Sequence, residues 1–161
     1  MTTSAAQRAS RAPDLFDALR TSHDAQRALC SALLSSSTSI ADRADVFFRL
    51  KIELEAHAAA EERYLYVPIL MDDAGLSSAR HALAEHHEIE ELLEDLSVRQ
   101  KQGAAWVRLA KELDREVRHH LGEEEQKFFK VAGRILSEAT KRELAESYTL
   151  EMVRMKKALS T

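Results

Sequence analysis

Six side chains of this sequence are of the kinds that bind transition-metal ions, and they stand in a pattern that occurs twice. His23 is followed by His57-Ala58-Ala59-Ala60-Glu61, and His86 by His120-Leu121-Gly122-Glu123-Glu124. In each copy 34 positions separate the lone His from the His of the His-x-x-x-Glu, and the second copy lies 63 positions after the first. Flanking residues follow the same shift: Leu50 and Leu113, Leu54 and Val117, Glu62 and Glu125, Tyr66 and Phe129. Imidazole together with carboxylate suits divalent first-row metals.

The spacing says where these groups point. Residues four apart share one face of a helix. His57 with Glu61, and His120 with Glu124, are therefore two-toothed chelates, each on one helix. Leu50 and Leu54 precede His57 on its stripe, and Leu113 and Val117 precede His120, so the chelates face a core. A Glu there is costly to bury unless something compensates it, and a metal does so. One His on an apolar face is more often a core residue than a ligand. Six positions agreeing at one offset point to a metal centre instead.

Four His and two Glu are too many for a tetrahedral zinc ion. Two octahedral ions have about twelve positions to fill. Four imidazoles, two bridging carboxylates and an oxo or hydroxo bridge leave about one open position per metal, where a small oxidant would bind. Nitrogen-rich octahedral sites suit iron, with manganese as the second choice. No catalytic side chain is assigned beyond these open positions. Two further side chains could join the ligands. Glu90 lies four positions after His86, and Tyr64 three after Glu61. Glu90 could equally pair with Arg27, which occupies its duplicate position. Tyr66 matches Phe129 and is read as packing. His81, His87 and His119 have no duplicate and are read as surface or supporting residues. Glu88, Glu123 and Glu125 adjoin the ligands and could move protons.

The elements that must position this set are helices. With 4 Gly and 2 Pro among 161 residues, long helices with short connections are expected rather than strands. Residues 1–13 read as a flexible tail ending at Pro13. A first helix begins near Asp14 and ends in the run Ser35–Ser39. Ser39 and Asp42 cap a second helix, which bends or ends near Pro68 and stops before Gly75. Ser77 or Ser78 caps a third helix, which runs to about Gln102 and stops at Gly103. A fourth runs from about Ala104 to Leu136. Ser137, or Thr140 with Glu143, caps a fifth, to about Ala158. Short connections force neighbours antiparallel. The expected fold is all-α: an up-down-up-down four-helix bundle over 14–136, built as a duplicated hairpin. A C-terminal helix over 137–161 packs on the bundle or serves an interface.

The pattern resembles the hemerythrin-like family of HHE cation-binding domains. The likeness rests on Thr21-Ser22-His23-Asp24, His57 to Glu62, Ala84-Glu85-His86-His87-Glu88-Ile89 and His119 to Glu125, and covers about residues 14–136. It implies a non-haem di-iron centre that meets dioxygen, peroxide or nitric oxide, with His23, His57, Glu61, His86, His120 and Glu124 as ligands. Oxygen-carrying members have a second His one turn after the third-helix His, where this chain has Glu90. They end in His-x-x-x-x-Asp, where this chain has His-x-x-x-Glu. The arrangement is that of the branch with His, His-x-x-x-Glu, His, His-x-x-x-Glu, which includes catalase-like members. A ferritin-like reading fails because only Glu116-x-x-His119 has the Glu-x-x-His spacing. No His-Glu-x-x-His is present for a zinc protease.

Two functions follow as expectations. One is an enzyme that disproportionates peroxide or turns over another reactive oxygen or nitrogen species. The other is a module that reversibly binds oxygen, nitric oxide or iron and signals through the last helix to a partner protein or a second copy. The formal net charge of −4, with both signs interleaved, disfavours nucleic acid and anionic membranes. No run of about 18 apolar residues offers a membrane span. The first residues lack the apolar core of a secretory signal. The lone Cys30 cannot form an internal disulfide and reads as a small core residue. Cytoplasmic residence is expected.

Overall fold

The computed structural model of the chain describes residues 11–99 and 103–161. These form five helices and no strand. The first helix, α1, is Leu15–Leu34. The second, α2, is Ile40–Glu61, which continues through a π-helical turn, Glu62–Tyr66, into Val67–Leu70. The third, α3, is Asp73–Val98. The fourth, α4, is Ala104–Glu123, continuing through a second π-helical turn, Glu124–Phe128, into Phe129–Ile135. The last, α5, is Glu138–Leu159. Helices α1–α4 form the up-down-up-down bundle, and α5 lies against α1 and α2. No described helix is long and apolar enough to cross a membrane. Most of the expected tail, and the expected end of the third helix at Gln102, lie outside the described residues.

The helix starts follow from capping chemistry. Asp14 and Asp17 satisfy each other's backbone N–H groups at the head of α1. The Ser39 and Ser137 hydroxyls accept from Asp42 N–H and Thr140 N–H. The third helix differs from expectation. Asp72, not Ser77 or Ser78, caps it by accepting from Ala74 N–H, and Gly75 sits in its first turn. Gly75 is there for closeness. A Cβ would stand 2.3 Å from Ile69 Cγ2 and 2.7 Å from Ile69 O, so only glycine lets α2 and α3 turn so tightly.

The core has two apolar clusters. One contains Leu15, Leu19, Ala60, Leu65, Tyr66, Ile69, Phe128 and Phe129, and α5 adds Ala145, Tyr148 and Met152. The other contains Cys30, Leu33, Leu50, Leu54, Leu93, Leu96, Trp106 and Leu113. Trp106 donates its indole N–H to the Leu96 carbonyl. The four buried imidazoles, with Glu61 and Glu124, lie where these clusters meet, so the bundle carries a polar layer across its middle.

Candidate metal centre

Each bundle helix delivers one buried imidazole to that layer. His23, His57, His86 and His120 are all under a tenth exposed, and Glu61 and Glu124 are at most 2% exposed. The two carboxylates are placed alike. Glu61 Oε2 is 3.2 Å from His57 Nε2 of its own hairpin and 3.1 Å from His86 Nε2 of the other. Glu124 Oε2 is 3.3 Å from His120 Nε2 of its own hairpin and 3.9 Å from His23 Nε2 of the other. Two ligand groups result: His23, His57, Glu61 and Glu124, and Glu61, His86 and His120. Glu61 belongs to both, as a bridging carboxylate would.

The polar atoms of this layer fit cations better than they fit one another. His23 Nε2, His57 Nε2, Glu61 Oε1 and Glu124 Oε1 are buried without a hydrogen-bond partner. His86 Nε2 and His120 Nε2 face each other at 3.0 Å. Unpaired buried polar atoms are expensive, and atoms so converged are the usual mark of a metal site. Electrostatics agree. Burial and the neighbouring Glu61 carboxylate hold the Glu124 carboxyl well above its ordinary range. Burial opposes ionisation of Glu61 too, but His57 and its hydrogen-bonding neighbours outweigh it and hold that carboxyl well below. Burial pushes His23 down to about 4. For His86, burial is outweighed by hydrogen bonds to Glu61 and Glu62, which raise it to about 9. Metal binding must therefore displace protons from the layer.

The outer nitrogens are held as firmly. His23 Nδ1 is 2.7 Å from Glu125 Oε1, and His86 Nδ1 is 3.0 Å from Glu62 Oε1. These two pairs are duplicates of each other, and both cross between hairpins. His120 Nδ1 is 2.7 Å from Glu85 Oε2. His57 Nδ1 is 2.7 Å from the hydroxyl of Tyr148 on α5. Such contacts fix tautomer and ring direction, leaving Nε2 turned inward. Burial of Glu125 is outweighed by His23 and Arg27, which hold its carboxyl at about 2.

Of the two tyrosines that follow Glu61, it is Tyr66 and not Tyr64 that meets the layer. Tyr66, read as packing, is fully buried, and its O–H donates to Glu61 Oε2 at 3.0 Å and to Glu124 Oε2 at 3.4 Å. It is also 3.3 Å from His86 Nε2. Tyr64, expected on the ligand stripe, is half-buried against the apolar cluster beside α5. The cause is the π-helical turn. Val67 N–H bonds to the Glu62 carbonyl, and Phe129 N–H to the Glu124 carbonyl, five residues back. The wider turn carries position i+5 from Glu61 onto the ligand face and turns i+3 away.

Glu90 also lies elsewhere: its side chain is 66% exposed and pairs with His87, not with the layer. Arg27 pairs with Glu125 and Asp24 instead of Glu90. His81, His87 and His119 are more than half exposed. His81 meets Glu85 and Glu123 at the rim of a cavity of about 420 Å³ that reaches His120 and Glu124. A second cavity, about 360 Å³, reaches His86 and Glu62 between α2 and α3. Cys30 is a buried core residue whose thiol burial pushes up to about 12, so it is inert.

Residues 14–132 match the family model of the hemerythrin HHE cation-binding domain. Among solved structures the chain is similar to a hemerythrin HHE cation-binding domain-containing protein of Mycobacterium kansasii. The identity is 19%, the TM-score 0.81, and the match covers 91% of this chain and 90% of that one. No curated protein matches the chain. At that identity the structural likeness speaks for the fold alone. The family match covers most of the chain and includes all six converging side chains, and on that ground this chain belongs to the hemerythrin HHE cation-binding domain family.

Proposed function

We propose that this chain holds two iron ions between its hairpins and uses them for catalase-like disproportionation of peroxide. His23 and His57 would serve one ion, His86 and His120 the other, with Glu61 and Glu124 shared. The observation that carries this reading is the convergence of four inward Nε2 atoms on two buried carboxylates, with one phenol among them.

Disproportionation moves two electrons and two protons. One peroxide takes up both and becomes two waters, and a second gives both back and leaves as dioxygen. An iron pair, when bound, supplies the two-electron store. The chain's own residues must handle the protons. Burial and the charges of Glu124 and Glu61 raise the Tyr66 hydroxyl well above its ordinary pKa, so it remains a phenol and a donor. The two cavities beside His86 and His120 give a small oxidant its approach.

The contact between Tyr148 and His57 favours a second reading, in which α5 reports the state of a site that binds oxygen or nitric oxide reversibly. One pair of measurements separates the two. Hydrogen peroxide added to iron-loaded protein should give sustained oxygen release. Mixing the anaerobic diferrous protein with oxygen and purging with argon should not restore the diferrous spectrum. Full restoration without oxygen release from peroxide would replace the first reading by the second.

A further inference from the structure

The duplication sets a standard against which one support of the centre stands out. His120 is backed by Glu85. The residue 63 positions before Glu85 is Ser22, whose side chain reaches two atoms less far than glutamate. Tyr148 fills that gap. Its hydroxyl is 2.8 Å from Ser22 Oγ and 2.7 Å from His57 Nδ1, and the side chain is almost wholly buried. Three imidazoles are thus backed by carboxylates and one by a neutral hydroxyl pair. The phenol comes from α5, beyond the residues matched by the family model. A carboxylate behind an imidazole makes it a stronger donor to a metal, and a neutral acceptor does so less.

We infer that Tyr148 is a positioning residue of the metal centre, which aims His57 and keeps it the weakest donor of the four imidazoles, so that the two ions are held unequally. This rests on His57 being a ligand, as proposed above. A simple packing role for Tyr148 would leave the two ions alike.

Cobalt(II) is a suitable probe. The full chain is loaded with two equivalents, and each ion is withdrawn by a competing chelator while its visible spectrum is followed. Tyr148→Phe keeps the ring but leaves His57 Nδ1–H without its acceptor. One of the two ions should then leave about 10- to 100-fold more readily, the other unchanged. Ser22→Ala, which removes only the second hydroxyl, should shift the same ion by less and guards against misfolding of the first variant. Glu85→Gln should loosen the opposite ion. In proton NMR spectra of the cobalt form, the shifted Nδ1–H resonance of one imidazole should move in Tyr148→Phe while the other three stay. Two ions held as in the wild type, or both lost together in Tyr148→Phe and Ser22→Ala alike, would overturn the inference and leave the proposed function standing. Wild-type protein that takes up no cobalt would overturn both.

Discussion

The hairpin of α1 and α2 and the hairpin of α3 and α4 agree in what faces the centre and differ in what stands behind it. Both supply a lone His, a His-x-x-x-Glu and a π-helical turn just past the Glu. Both lend a carboxylate to the other: Glu62 supports His86, and Glu125 supports His23. They part at two places. Tyr66 puts a hydroxyl among the converging side chains, while its duplicate Phe129 stacks on Phe16 at 4.7 Å between ring centres. Glu85 backs His120 directly, while its duplicate Ser22 needs Tyr148. Neither hairpin holds a complete site. Its inward carboxylate lies between its own imidazole and one from the other hairpin, so the centre exists only when the two are packed together.

The largest break in that arrangement is loss of a shared carboxylate. Glu61 belongs to both ligand groups. Glu61→Ala should therefore cost both ions, and metal analysis should find well under one iron per chain. Single-ion occupancy would show that Glu61 serves one side only. Withdrawing metal from the wild type tests the same layer from the other direction, because apo protein keeps buried polar atoms unpaired. Metal present at about 100 times its Kd stabilises by about 2.7 kcal/mol. For a chain of this size that is a melting shift of about 5–10 °C. Equal melting temperatures with and without metal would argue against a core site.

Next in size is the difference between Tyr66 and Phe129. Tyr66→Phe removes one oxygen and leaves the ring packed against Phe128, at 5.2 Å between centres. Metal content should stay near two, while peroxide turnover should fall about 100-fold or more if the phenol supplies protons. Oxygen-electrode rates per bound iron give the comparison. Unchanged rates would return Tyr66 to a packing role.

How much of this was legible in the sequence depends on the kind of residue. The six converging side chains could be read as a set because two periods agree on them, the helical repeat and the offset of 63. The bundle followed from the same repeat. Tyr66 was hidden because a π-helical turn changes the phase of every residue after Glu61, and i+5 is not a ligand position on an α-helix. Comparison with Phe129 made matters worse, since it argued for packing just where the halves differ. Glu62 and Glu125 were visible as a duplicated pair, but their exchange between hairpins depends on tertiary packing. Tyr148 carried no signal, because α5 has no duplicate. Asp72 was overlooked as a cap because Gly75 reads as a terminator, whereas it serves a tight crossing with Ile69.

The exchange of outer carboxylates can be weighed directly. Glu62→Gln and Glu125→Gln remove duplicate supports from His86 and His23. Each should weaken binding of one ion by about 10- to 100-fold. Glu125 also accepts from Arg27 at 3.0 Å, an extra charge that Glu62 is not shown to have. The Glu125 variant leaves that guanidinium with Asp24 alone and should lose slightly more. Chelator competition on the two variants side by side measures the difference. A larger loss from Glu62→Gln would mean that the Arg27 contact adds nothing to the hold on His23.

The smallest effect is expected at His87, and it tests which member of the pair His86-His87 belongs to the centre. His87 is 68% exposed and meets Glu90 and Glu91 on the outer side of α3. Exposed pairs of this kind contribute about 0–1 kcal/mol, so His87→Ala should melt within a few degrees of the wild type. Its metal content should be unchanged. His86→Ala, one position away, removes an inward Nε2 that lies 3.1 Å from Glu61 and 3.0 Å from His120. That variant should lose at least the ion on the His86 and His120 side, and Glu61 should lose one of the imidazoles that hold its carboxyl down. Metal lost from the His87 variant but retained in the His86 variant would place α3 one residue out of register with the centre. With it would fall the pairing of the two hairpins on which the comparison rests.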